Sequence, residues 1–161
     1  MEIVYIETTI VSYLVADPSR DVVTAGLQQA TRDWWQQRRD DFHCVTSAET
    51  LAEAGRGDAE QARRRLAVLN DLTLVPAGLE AEKLTERFLA SGALPARARS
   101  DAIHLAVAVI AEADFLLTWN CRHLANAQIL RRLEEEVHRA GRRMPRVCTP
   151  LELMGDSPYE T

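Results

Sequence analysis

Short unbroken apolar runs alternate along this chain with longer stretches that keep a helical period. Glu2-Ile3-Val4-Tyr5-Ile6 is β-branched and aromatic and reads as a buried strand. Phe42-His43-Cys44-Val45-Thr46, Leu72-Thr73-Leu74-Val75 (stopped by Pro76) and Phe115-Leu116-Leu117-Thr118 read the same way, and Arg146-Val147-Cys148 is a weak edge strand. From Asp21 to Gln37 the apolar positions Val22, Val23, Leu27, Ala30, Trp34 and Trp35 fall near a 3.6-residue period. Ser47 N-caps a short helix to Ala54 that Gly55 and Gly57 end, and Asp58-Ala59-Glu60-Gln61 opens another through Leu69. Further helices are predicted from Gly78 to Ala90, from about Ala96 to Ala113, and from Arg122 to Ala140 with Gly141 after it. Thr149-Pro150-Leu151-Glu152 pairs a capping box with proline at the first helical position. Residues 156–161 read as a flexible C-terminal tail.

Strands separated by one or two helices predict an α/β fold, a mostly parallel sheet of four to five strands between two helical layers. The whole is one domain over residues 1–155. In such a sheet, ligands bind beyond the carboxyl ends of the strands. The first strand ends in Glu7-Thr8-Thr9; the second feeds Ser47 and a helix with Glu49 and Glu53; the fourth ends in Thr118-Trp119-Asn120. A right-handed return brings the Asp101 end of the long helix to the same edge. Carboxylates gathered at one point repel unless a cation joins them, and an all-oxygen set suits Mg²⁺ or Mn²⁺.

Composition narrows the class. With 47% hydrophobic and 27% charged residues, bulk disorder is excluded, and no apolar run is long enough to span a membrane. A net charge of −5 argues against binding nucleic acid through bulk charge alone. Three cysteines, Cys44, Cys121 and Cys148, fit a reducing cytoplasm better than a disulfide framework. Cys121 and His123 lack the second ligand pair that zinc requires. His104, one turn after Asp101, reads as a packed core histidine, and the arginine clusters at 63–65, 131–132 and 142–143 as solvated faces.

The ordered motifs Val4-Tyr5-Ile6-Glu7-Thr8-Thr9, Ser47-Ala48-Glu49-Thr50-Leu51-Ala52-Glu53, Ser100-Asp101-Ala102-Ile103-His104-Leu105-Ala106 and Leu116-Leu117-Thr118-Trp119-Asn120 resemble those of PIN-domain ribonucleases, in particular VapC-like toxins of type II toxin–antitoxin systems. The resemblance spans Ile3 to Gly155. It implies a three-layer α/β/α fold and Mg²⁺- or Mn²⁺-dependent hydrolysis of RNA. Glu7, Glu53, Asp101 and Asn120 would be the catalytic and metal-holding set, with Thr118, Glu49, Ser47 and Asn126 as supporting candidates. It also implies a homodimer, a cognate antitoxin protein as partner and a cytoplasmic location. Glu7 and Asn120 each stand where the family usually has Asp, which lengthens one carboxylate and removes one charge. Those departures support an alternative, a catalytically weakened PIN-like module that binds RNA or protein. A second rival is another doubly wound domain, such as a receiver or a phosphohydrolase, which would need a strand-end Asp nucleophile where Glu7 stands.

Overall fold

The β-branched run at the N-terminus becomes the centre of the molecule. In a computed structural model, which describes residues 1–155, β1 (Ile3–Ile6) pairs in parallel with β2 (His43–Thr46) on one side and β4 (Phe115–Leu117) on the other. β3 (Thr73–Leu74) and β5 (Arg146–Cys148) close the two edges, so the all-parallel order is β3-β2-β1-β4-β5. The tail read at 156–161 lies outside the described residues.

The strand order bears directly on function. The chain winds from β1 outward through β2 and β3, then crosses to the far side for β4 and β5. The reversal falls between β1 and β4, and there a doubly wound sheet leaves a crevice beyond its carboxyl ends.

Alternation along the strands divides the core in two. Tyr5, Val45 and Leu116 face one helical layer, with α5 (Leu79–Ala90), α6 (Arg99–Ile110) and α7 (Ala127–Arg139). Val4, Ile6, Cys44 and Leu117 face the other, with α1 (Thr8–Val15), α2 (Val22–Gln37) and α4 (Ala59–Leu69). α3 (Ala48–Ala54) bridges them, touching α1, α4 and α6. The α/β/α expectation holds.

Boundaries differ from the sequence pattern where side chains take over backbone bonding. α1 is not foreseen in the sequence, because Thr8, Thr9, Ile10 and Val11 look like more strand; Glu7 caps it by accepting from the Thr9 amide. The long helix is shorter at both ends: a 3₁₀ turn fills Ala96–Ala98, and α6 stops at Ile110 in a Schellman closure. There the Ala113 amide reaches the Ala108 carbonyl and that of Glu112 reaches Val109, with Glu112 at φ 56°. The helix expected from Arg122 begins only at Ala127. The Asn120 side-chain oxygen captures the amides of Arg122 and His123 in a turn, and Asn126 becomes the cap. At the C-terminus the expected Thr149–Glu152 capping box forms, opening a 3₁₀ turn over Pro150–Leu153.

Candidate metal centre

Glu7 leaves β1 at the switch point and is buried, 3% exposed. Its Oε2 accepts from the Thr9 amide at 3.1 Å, from the Thr9 hydroxyl, and from the Thr118 hydroxyl at 2.7 Å. Thr118 follows β4 and Thr9 lies in the first turn of α1, so elements from both sides of the crevice hold this one oxygen. Oε1 has no hydrogen-bond partner among the described residues.

Glu53, in the last turn of α3, meets Glu7 there. Its Oε1 accepts from the Thr8 hydroxyl at 2.7 Å and from His104 Nε2. Its Oε2 has no bond within 3.5 Å among the described residues, although the nearby Ser100 hydroxyl also favours the charged carboxylate. Ligating atoms of Glu7, Glu53 and His104 all lie within 4.8 Å of one another, so this cluster could hold a metal ion. His104 is fully buried, and its Nε2 hydrogen is spent on Glu53, which makes it the support of that carboxylate rather than a third ligand. Burial alone would raise the Glu53 carboxyl, but the hydrogen bond and charge of His104 and the Thr8 hydroxyl outweigh it, holding the group down at about 2. Burial opposes a charged His104, yet Tyr5, Glu53 and Glu7 overcome it and hold the imidazole well above its usual range.

A polar layer lies directly beneath. The Tyr5 hydroxyl is 2.8 Å from His104 Nδ1, 2.6 Å from Ser47 Oγ and 3.2 Å from Thr50 Oγ1. Ser47 occupies the N-cap position of α3 but makes no side-chain cap bond. That corrects its reading as an ordinary cap: the hydroxyl is diverted to Tyr5, forgoing about 1 kcal/mol of capping.

Asp101 and Asn120 form a second, adjacent group at the same edge. Asn120 Nδ2 donates to Asp101 Oδ1 at 2.9 Å, and His123 Nδ1 donates to Asp101 Oδ2 at 2.9 Å. The Asn120 amide donates to Thr118 Oγ1 at 2.9 Å, linking this group to Glu7 through one hydroxyl. The Asn120 side-chain oxygen faces the turn amides and its nitrogen faces Asp101, so it braces that acid.

The supporting candidates separate. Thr118 joins both groups. Glu49 is drawn to the start of α6 by the Ser100 hydroxyl at 2.6 Å, so Glu53 is the acid brought to Glu7. Asn126 spends its oxygen on the Gln128 and Ile129 amides as the cap of α7. Sequence reasoning did not single out Thr8, Thr9, Tyr5 or His123 as part of the site. Thr8 and Thr9 were legible as companions of Glu7; the others depend on contacts distant in sequence.

The donor set fits a hard divalent cation: two carboxylates meet, each with one oxygen pinned by neighbouring hydroxyls or an imidazole. A thiolate alternative is remote, since burial pushes Cys44 up to about 11 and Cys148 up to about 12. Among the described residues no helix is long and apolar enough to cross a membrane. Set against models of known families and against curated proteins, the sequence matches none. Fold and site together define a doubly wound α/β protein with a buried and a half-buried glutamate meeting at its switch point.

Proposed function

We propose that this chain is a Mg²⁺- or Mn²⁺-dependent endoribonuclease of the PIN type, the toxin of a type II toxin–antitoxin pair. The observation that carries the reading is the meeting of Glu7 and Glu53 at the β1–β4 crevice, where a doubly wound sheet binds its ligands. Glu7 and Glu53 would hold the cation, with Asp101, braced by Asn120 and His123, as the neighbouring acid. When bound, the ion supplies an ionisable water and charge neutralisation for a phosphodiester. Thr9 and Thr118 keep Glu7 oriented, and Thr8 and His104 keep Glu53 oriented. No side-chain nucleophile is called for. The four-motif resemblance supports RNA as substrate, products with 5′-phosphate and 3′-hydroxyl ends, a homodimer, an antitoxin partner and a cytoplasmic setting.

One observation favours a second reading, the weakened PIN-like binding module. Asn120 presents its amide hydrogens to Asp101, where a second acid would instead invite a cation. Labelled RNA incubated with Mg²⁺, Mn²⁺ or chelator, with Glu7→Gln and Asp101→Asn as controls, separates the two. Cleavage in Mn²⁺ that is lost in chelator and in both variants supports the nuclease. Mn²⁺ binding without cleavage supports the module. Neither binding nor cleavage overturns both.

A further inference from the structure

The polar layer under the glutamates has a register that the acids alone do not require. Tyr5 stands two residues before Glu7, on the same face of the strand trace. Thr50 stands three before Glu53, and Ser47 three before Thr50, along one face of α3. His104 stands three after Asp101 on one face of α6. Each element that delivers an acid to the crevice thus also delivers, one step deeper, a polar group to a common point. Tyr5, Ser47, Thr50 and His104 are all fully buried. Among the described residues no buried side-chain nitrogen or oxygen lacks a partner, so this cluster is closed on itself except where His104 Nε2 leaves it for Glu53. Apolar side chains would fill such a space at less desolvation cost.

We propose that Tyr5 is a positioning residue: acting through His104, its hydroxyl fixes the rotation of the Glu53 carboxylate, so that Oε1 is held by the protein and the group is presented to the cation in one orientation. The geometry is directional. The hydroxyl lies at Nδ1, on the opposite side of the ring from Nε2, so ring tilt and carboxylate rotation are set together. The Tyr5 and His104 ring centroids lie 5.8 Å apart at 65°, an edge contact that leaves the hydroxyl as the element holding the imidazole in its plane. Ser47 and Thr50 hold the hydroxyl in turn, which accounts for Ser47 abandoning its cap.

The inference rests on the metal-site reading, and its test separates the two. Mn²⁺ binding to the full chain is titrated calorimetrically for the parent, Tyr5→Phe, Glu53→Gln and the double variant, with thermal melts in chelator alongside. Tyr5→Phe keeps the ring and removes only the hydroxyl. Its Mn²⁺ affinity should fall on the order of tenfold, the range for groups that orient a ligand. The loss should vanish in the Glu53→Gln background, where no carboxylate remains to orient. A parent that binds Mn²⁺ and a Tyr5→Phe variant that melts lower yet binds equally well would leave Tyr5 a structural residue and overturn the inference alone. A Tyr5→Phe loss that persists undiminished with Glu53→Gln overturns it in the same way. A parent that binds no Mn²⁺ overturns the metal site and the inference together. Should Tyr5→Phe fail to fold, His104→Gln breaks the link between Tyr5 and Glu53 at its middle; a similar loss supports the inference and unchanged affinity refutes it.

Discussion

The two halves of the crevice solve the same electrostatic problem differently. In the Glu7–Glu53 half, two carboxylates face each other, each satisfied on one oxygen only, with His104 behind one of them. In the Asp101 half, both carboxylate oxygens are already bonded, one by Asn120 and one by His123. In the first half, ligand atoms of both carboxylates and of His104 come within 4.8 Å of one another. In the second, each oxygen already accepts one bond from the protein, so the acid is oriented by Asn120 and His123. The contrast sets a cluster that could hold a metal ion beside an acid braced by Asn120 and His123.

The largest expected effect tests the first half. Glu7→Gln and Glu53→Gln should each lower metal-dependent RNA cleavage on the order of 10³-fold, about 4 kcal/mol of barrier. Glu7→Gln should also abolish, and Glu53→Gln reduce, the stabilisation that Mn²⁺ gives the parent, about 2.7 kcal/mol at a hundredfold excess over the dissociation constant. Retention of that stabilisation in both variants would place the cation elsewhere.

Next is pH in chelator. Glu53, held down at about 2 from 4.5, contributes stability that is complete above about pH 4.5 and is lost as the pH falls toward 2. His104, raised above 6.5, contributes stability that is complete below about pH 6.5 and is lost as the pH rises through its folded value. Apo stability should therefore peak between about pH 4.5 and 6.5 and fall by a few kcal/mol on the acid limb. Denaturant midpoints across pH check it, and a flat profile would break the pairing of these two groups.

The second half is tested by sign. Clustered acids alone predict that neutralising Asp101 stabilises the metal-free protein. The bonds from Asn120 and His123 reverse this: Asp101→Asn should cost about 1–2 kcal/mol in chelator. Asn120→Asp should cost a similar amount, by setting two acids about 3 Å apart, and Mn²⁺ should recover more stability than it adds to the parent. Thermal melts with and without Mn²⁺ read both.

The smallest effect is a control outside both halves. Glu112 holds φ 56° at the close of α6, a conformation in which glycine is at ease. Glu112→Gly should stabilise by about 1 kcal/mol and leave Mn²⁺ binding unchanged.

What local pattern encodes was legible in the sequence. The strands are legible because β-branched and aromatic runs are bounded by polar residues. The carboxyl-end acids are legible because parallel topology sends them to one edge. α1 is hidden because Thr8 to Val11 carry strand-like side chains, while the helix is opened by the Glu7 cap bond and packed through Ile10 and Val11. The start of α7 is misplaced because Asn120, a residue outside the helix, binds the amides that would have begun it. His104 reads correctly as a core histidine, but its attachment to Glu53 and Tyr5 joins residues 51 and 99 positions apart, which no periodicity reports. The division of labour between Asp101 and the glutamates was equally out of reach, because it depends on which atom of Asn120 faces inward.

The Thr9–Trp119 contact gives the crevice an optical readout. Trp119 stands between Thr118 and Asn120, and its amide donates at 2.8 Å to the same Thr9 hydroxyl that donates to Glu7. Its indole nitrogen is tethered to Thr31 at 2.7 Å, and Tyr13 meets it edge-on. Trp34, by contrast, is sealed in the core with its indole bonded to the Leu153 carbonyl. A change in charge at Glu7 is thus one hydroxyl away from the backbone of a half-buried fluorophore. Intrinsic emission should follow the state of the crevice through Trp119, against a background from Trp34 and its neighbour Trp35 on α2.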